Sequence, residues 1–581
     1  MSTSNRREYL TATTLDQGVL DRCQDNLDNG VEMVVEVETP TGTIYASDRN
    51  KYVGTRFYEA LTAFPIIKRS LGDWLSPEIE FSNLTVGISN VDGRFNQFVQ
   101  GGANYGGWIN KQIVVKVGLR DVSSSYSVIY SGHITDIGGF QRDRMKLSLI
   151  ARDDFDRVNV NFPKGVFTQA TFPDIDTNLI GTIVPVIYGD WTVELKNQKL
   201  IPNDPLSPVA DIPIVPAFPV NGQAAGVLAG TTSVRFYVSA HDLTYFDTAE
   251  VYIKRSDSYY KFNSVDISLI SGNRIFDVKQ TGNGGVTLVD GALYQYASGD
   301  LFYVRVKGKD LGAYDDNPVW QARDILMSYG GVTSGEIDAN WATYRDKASP
   351  AESAISTFKS RVWVQEPQGV MNYVLSLLEQ VRLEAFVSRE QKFKLNSLHL
   401  DEFVASPSYT VRNWDVEAGT FTPRLDDRNA WNRARAAYAF DPSQNSEARE
   451  TPIYRNSAAI TQAGKEISKK LIFPNLYEQT TVILQTKEML KLASGYSEFI
   501  EVTLTPRSVL KELGEFVNIN INFGATILEN VPAMIREISY DPRGLRIPVK
   551  LWSFQMINFP GYSPGYAGMV GGSTATITEE T

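Results

Sequence analysis

From Glu78 to Ser89 the apolar residues fall at Ile79, Phe81, Leu84, Val86 and Ile88, close to every second position. That period belongs to a strand with one buried face, not to a helix. The same signal recurs at Val31–Thr39, 112–119, 126–132 and 146–151, each run bounded by turn residues such as Asn90-Val91-Asp92-Gly93. It returns at 234–240, 249–255 and 301–308, and again at 432–440, 499–504, 516–521, 533–540 and 546–554. Many short strands joined by turns point to sandwiches or small barrels. With 581 residues, one core is too few, and about three to five domains are expected at roughly 100–200 residues each.

The fold class read from these patterns is mainly β with α+β segments. Residues 1–165 form an N-terminal β-barrel domain; within it, 8–28 reads as a helix, with Leu10, Leu15, Leu20 and Leu27 as core candidates. Residues 166–315 hold a proline-rich stretch, Ile201–Val220, and an inserted β-domain. Ile212, Ile214, Val215 and Phe218 predict that the proline-rich stretch packs as an extended segment over a surface. A small α+β domain covers 316–405. Its first helix starts at Pro318 behind Asn317 as N-cap and stops before Gly330-Gly331. A second helix covers 370–381, with Val370, Val374, Leu377, Leu378 and Val381 on one stripe, followed by a hairpin through 383–395. Residues 406–558 form a C-terminal β-barrel domain, and 559–581 a flexible arm without core residues. Two stretches echo each other, YSGHITDIGGFQRDRMKLSLIA (130–151) and VPAMIREISYDPRGLRIPVKLW (531–552), and suggest related barrels at the two ends.

Chemistry is hard to place on this chain. A net charge of −11 argues against a protein that grips phosphates. The lone Cys23 excludes an intrachain disulfide and leaves a cysteine–histidine catalytic pair little to stand on. His133, His241 and His399 are far apart, with no zinc-ligand spacing. No G-x-S-x-G elbow occurs. Gln462-Ala463-Gly464-Lys465-Glu466 misses a P-loop, because Glu466 follows the lysine and Ala459 stands where a glycine is needed. Asn90–Gly93 fails as a calcium loop, since Ile88 and Val99 fall at ligand positions. The acidic groups Asp153, Asp154 and Asp156, and Asp315 with Asp316, read as solvated loop ends, although a glycosidase needs only two carboxylates. No residue is assigned a catalytic, cofactor-binding or metal-binding role, and no cofactor is expected. No apolar run reaches the roughly 18 residues of a membrane helix, and the first residues lack the apolar core of a secretory signal. The chain therefore reads as made and folded in a cytoplasm.

The segment YEALTAFPIIKRSLGDWLSPEIEFSNLTVGISNVDGRFNQF (58–98), then GGWINKQIVVKVGLRD (106–121) and VIYSGHITDIGGF (128–140), resembles the N-terminal part of bacteriophage tail hub proteins. PVIYGDW (185–191), LGEFVNIN (513–520) and the stretch 531–552 are similar to the same class. The resemblance implies a non-enzymatic structural hub of a tail tip or baseplate, with tube-like barrels near both ends, assembled as a homotrimer. Six barrels would then match a sixfold tail tube, and a threefold spike or fibre would sit below. Implied partners are a tail tube or distal tail protein, a central spike or fibre protein, the tape measure protein and baseplate wedge proteins, with no specific nucleic-acid binding and no membrane insertion. The insert 166–315 departs from the simplest version of that class. Two other readings stand beside it: a tail-associated cell-wall hydrolase or carbohydrate-binding tip protein, and a distal tail ring protein. If the end domains form a channel, Glu512, Glu515 and Asp541 are candidates for its acidic lining.

Overall fold

The computed structural model describes residues 31–60, 62–63, 66–73, 76–77, 84–98, 102–104, 106–119, 126–138, 146–195, 214–221, 233–256, 258–280, 285–297, 299–346, 358–388, 391–398, 409–426, 430–494, 496–505, 511–522, 527–540, 546–555 and 577–580. The helix expected at 8–28, Cys23, His399 and Asp541 lie outside the described residues. The fold is mainly β, in several sheets with few helices.

Two of these sheets have the same plan. In the N-terminal sheet six strands run side by side as Val31–Thr39, Gln112–Leu119, Ser127–Gly138, Lys146–Asp153, Leu84–Ser89 and Thr62–Ala63. In the C-terminal sheet the order is Tyr409–Arg412, Phe516–Asn522, Ile527–Tyr540, Ile547–Gln555, Tyr496–Leu504 and Thr422–Asp426. Numbering only these six strands of each sheet along the chain, both orders are first, fourth, fifth, sixth, third, second; the nine-stranded N-terminal sheet continues beyond its first strand into Gly42–Ser47, Arg56–Ala60 and Lys51–Val53. The registers agree as well. Val115 faces Tyr130 and Ile134 faces Ala151 in one sheet; Ile519 faces Val531 and Ile535 faces Leu551 in the other. Each fifth strand carries a β-bulge at the same step, Thr135 after Ile134 and Arg536 after Ile535. Each fourth strand is entered through a left-handed residue, Asn110 at φ 63° and Gly514 at φ 74°. Their N–H groups donate to the Ile134 and Ile535 carbonyls, both at 2.8 Å. Asparagine and glycine are the residues that tolerate this conformation. The copies differ at the first strand, which is antiparallel to the fourth in the N-terminal sheet and parallel to it in the C-terminal sheet. The echo read in the sequence is the paired fifth and sixth strands of each copy.

Alternation on these strands gives each sheet one apolar face. Ile113, Val115, Leu147, Leu149, Val86 and Ile88 are buried in one copy; Val517, Ile519, Ile547, Val549, Val502 and Leu504 hold the equivalent places in the other. All of them belong to a single apolar cluster, so the two sheets share a core. A strand exchange strengthens the union. Ile67–Ser70, from the N-terminal half, pairs antiparallel with Glu537–Tyr540 of the C-terminal sheet.

The middle of the chain is a second body around another core. Helix α1 (Pro318–Ser328) begins where expected, and the Asn317 side-chain oxygen accepts from the Val319 N–H at 3.0 Å. Helix α2 (Val370–Glu379) turns its apolar stripe inward and leads to the hairpin Leu383–Val387 with Phe393–Ser397. Two helices within 406–558 were not legible as such, α3 (Ser457–Ala463) and α4 (Gln479–Ala493). They accompany a five-stranded sheet that includes Arg433–Asp441, Ser468–Phe473 and Tyr454–Asn456. This block interrupts the C-terminal sheet between its second and third strands. It packs with α1 and α2 in one core, so the strand expected at 432–440 is not part of the C-terminal barrel-like sheet. The insert is a seven-stranded sheet from Val215 to Lys307. The described part of the proline-rich stretch is one of its inner strands, Val215–Asn221, rather than a surface strap. Its first half pairs with Leu301–Lys307 and its second with Ser233–Tyr237, a divided ladder in which two prolines are tolerated.

PVIYGDW joins the insert to this middle body. Val186–Tyr188 pairs with Val362–Val364. Gly189, at φ 79°, lies so close to the Ser360 carbonyl that a Cβ would approach it to 2.4 Å. The buried Arg361 places its guanidinium 4.5 Å from the Trp191 ring centre and donates to the Phe440 carbonyl at 3.3 Å. Of the arm expected at 559–581 only residues 577–580 are described, and these pack on the chain itself. Ile577–Glu579 adds a strand antiparallel to Tyr454–Asn456, Ile577 packs on the middle core, and Glu580 takes a two-point ion pair from Arg433 at 3.0 and 2.6 Å.

A buried ion pair joins the two bodies. Arg536, on the C-terminal bulge, is 2% exposed and reaches both carboxylate oxygens of the fully buried Glu384 at 2.7 Å. Its other terminal nitrogen donates to the Leu71 carbonyl at 3.0 Å. Glu384 stands on the hairpin of the middle body, and Leu71 follows the exchanged strand. Removing one partner strands a buried charge, whereas replacing both leaves none. Arg536→Met should cost about 3–5 kcal/mol. The double variant Arg536→Met/Glu384→Leu should recover most of that loss in denaturant unfolding.

Candidate functional site

The acidic cluster at Asp153–Asp156 is more built than a solvated loop end. Asp153 caps the short 3-10 helix Asp154–Val158, its carboxylate accepting from the Phe155 N–H at 3.0 Å. Burial raises its pKa to about 6. Asp154 accepts from Ser131 at 2.5 Å on one oxygen and pairs with His133 at 2.5 Å on the other. Serine and histidine thus both serve the carboxylate, and no hydroxyl is handed to an imidazole base. A hydrolytic triad needs the reverse order of contacts. Asp315 accepts from the Leu311 N–H, and Asp316 faces Lys359 and Tyr477. Both therefore brace the entry to α1.

The remaining motif candidates resolve into structure. Asn90–Gly93 is a turn closed by the Gly93 N–H to the Asn90 carbonyl at 3.0 Å. Gly464 is the left-handed cap at the C-terminal end of α3, the wrong end of a helix for phosphate. Glu512 and Glu515 lie near lysines, Lys394 at 3.6 Å and Lys511 at 3.4 Å. Among the described residues no group of three His, Cys, Asp or Glu could hold a metal, and no helix is long and apolar enough to cross a membrane.

His241 lies where the insert meets Val186–Tyr188. Its Nε2 accepts from the Ile187 N–H at 3.2 Å, so its Nδ1–H donates to the Asp242 carbonyl at 2.9 Å. Burial, with Lys309 and Arg274 nearby, pulls its pKa down to about 4. This is a neutral structural imidazole, not a proton shuttle.

A groove of about 840 Å³ offers room for a ligand. It is lined by the insert strands around Phe218 and Phe302, the segment Trp363–Gln368, residues Phe440, Pro442 and Asn445, and the turn Asp176–Leu179. Trp363 and Phe440 lie face to face, with centroids 6.2 Å apart and planes 20° apart. Asp176, Asp300 and Glu366 line the groove, and among the described residues its lining contains no lysine or arginine. Asp300 is already held by Arg255 through two bonds of 2.7 and 2.8 Å. No sequence signal marked the groove, because its residues are drawn from five separated stretches.

No family model and no curated protein matches the chain. Among solved structures it is similar to the 43 kDa tail protein of prophage MuSo2 from Shewanella oneidensis, at 10% identity and a TM-score of 0.40, over 90% of this chain and 98% of that one. It is similar to a tail protein from Neisseria meningitidis at 8% identity and a TM-score of 0.38, over 90% and 97% of the two chains. A prophage tail protein from Listeria monocytogenes matches at 8% identity and a TM-score of 0.25, over 64% of this chain and 95% of the other.

The His241 geometry fixes a pH dependence. An unfolded histidine takes up a proton below about 6.5, while the folded one stays neutral to about 4. The unfolded state binds more protons across that window, so this contribution to stability is full above pH 6.5 and is lost as pH falls toward 4. His241→Gln keeps a donor and an acceptor but does not titrate. Between pH 7 and 4.5 the parent chain should lose more stability than the variant, read from denaturant midpoints.

Proposed function

We propose that this chain is the structural hub of a bacteriophage tail tip or baseplate, with no catalytic role of its own. One observation carries the reading: a single strand order, register and bulge occur twice in one chain, on two sheets that share a core. Three such chains around an axis present six equivalent sheets. They can therefore meet sixfold neighbours on one side and threefold neighbours on the other, with closed symmetry throughout. The sixfold neighbour is a tail tube or distal tail protein, and the threefold one a central spike or fibre. The tape measure protein and baseplate wedge proteins are further contacts. The site of action is the virion tail tip, after synthesis in the host cytoplasm. A distal tail ring would instead use six chains, for which an internal duplication serves no purpose.

The proposal makes the copy number decisive. Electron microscopy of the native tail tip should show three copies around the tail axis. Six copies, or one, would refute the hub.

The ring would line part of the path by which DNA leaves. A basic lining would hold phosphates and resist passage. The net charge of −11 supports a lining that repels them. The purified chain should give no gel shift with duplex DNA at physiological salt. Tight binding that weakens steeply as salt rises would overturn this account of the channel.

A further inference from the structure

The groove beside the insert has a composition that the hub role does not use. Its aromatic surface is supplied by Trp363, Phe218 and Phe440, all partly exposed within a concave wall. Around these rings stand exposed polar side chains: the amides of Asn178, Gln368 and Asn445, which both donate and accept, and the carboxylate of Glu366, which accepts. We propose that this groove binds a neutral oligosaccharide.

Charge decides between ligand classes. The ionisable lining residues are carboxylates apart from Tyr303 and Tyr373, whose hydroxyls burial keeps protonated. An anionic glycan, a nucleic acid or a phosphate would meet the Asp176 and Glu366 carboxylates with no lysine or arginine among the described lining residues to offset them. Among the described lining residues a basic peptide would find Asp176 and Glu366 for its charges, since Asp300 is spent on Arg255. It would also lay cationic side chains against a wall rich in aromatic and proline carbon. A neutral sugar matches both halves of the surface. Its C–H faces lie against the electron-rich ring faces. Its hydroxyls, each a donor and an acceptor, meet amides and a carboxylate. The volume of about 840 Å³ lies in the range of ligand sites, roughly 300–1,000 Å³. The groove is open to solvent rather than enclosed.

The test uses the full-length chain in isothermal titration with chitohexaose, cellohexaose and maltohexaose, and with hexagalacturonate and hexalysine as charged controls. At least one neutral hexasaccharide should bind, with both charged controls weaker. Trp363→Ala should weaken that binding about tenfold or more, near 1.4 kcal/mol. Glu366→Gln, at an exposed position that cannot disturb the fold, should weaken it several-fold. Melting temperatures of both variants report that they are folded. Failure of all three neutral sugars overturns the proposal. So does tighter binding of hexalysine or hexagalacturonate, or sugar binding that neither substitution changes. None of these outcomes bears on the copy number in the tail, so this inference stands or falls apart from the hub.

Discussion

Val115 and Ile519, Ile134 and Ile535, and Leu149 and Val549 occupy equivalent positions in two sheets and meet in one apolar cluster. Neither sheet could leave that face in water. Each buried aliphatic side chain contributes roughly 1.5–3 kcal/mol when covered, and the cover for each copy is the other. Shared burial fixes the relation of the two ends of the chain, although residues 154–408 separate them. Everything between must leave and return without disturbing that contact. The insert, the middle helices and the block at 430–493 accordingly enter as excursions between strands of the frame.

The two copies diverge most tellingly at the bulge. In the N-terminal sheet the extra residue is Thr135, exposed and bonded only to the Ile150 carbonyl at 3.3 Å. In the C-terminal sheet it is Arg536, buried and bonded to Glu384 and the Leu71 carbonyl. A bulge re-aims one side chain out of the ladder. One copy spends that freedom on solvent. The other spends it on a charge that binds the exchanged strand and the middle hairpin at once. Such a pair adds little net stability beside an apolar equivalent, yet it penalises every arrangement in which Arg536 and Glu384 are buried apart. Its effect is therefore to select one docking of the two bodies.

Much of the frame was legible because its signals are local. Period-two alternation located Gln112–Leu119 and Phe516–Asn522 almost to the residue, and Asn317-Pro318 fixed the start of α1. Where tertiary burial overrode local pattern, reading failed. Helix α4 buries Thr481, Gln485, Thr486 and Glu488 along with its apolar residues, so no clean stripe sets it apart. Arg433–Asp441 alternates like any strand, and nothing in it says which sheet it joins. Ile577–Glu579 is three residues in a polar tail, and it is ordered by Arg433, well over a hundred residues away. The candidate site was the least legible part. Trp363, Phe218 and Phe440 become a surface only after three units have packed, and no spacing along the chain anticipates that.

The frame and the groove draw on different residues. No residue lining the groove belongs to the two duplicated sheets; all come from the insert, the middle body and their junctions. Changes at Trp363 or Glu366 therefore leave the shared core and the Arg536–Glu384 pair untouched. Changes in that core would move both copies together and, in a closed ring, every subunit contact with them. A surface set apart from such a frame can change without disturbing it. Placing it on an excursion, anchored by Gly189 against Ser360 and by Arg361 over Trp191, lets the surface vary while its position stays fixed.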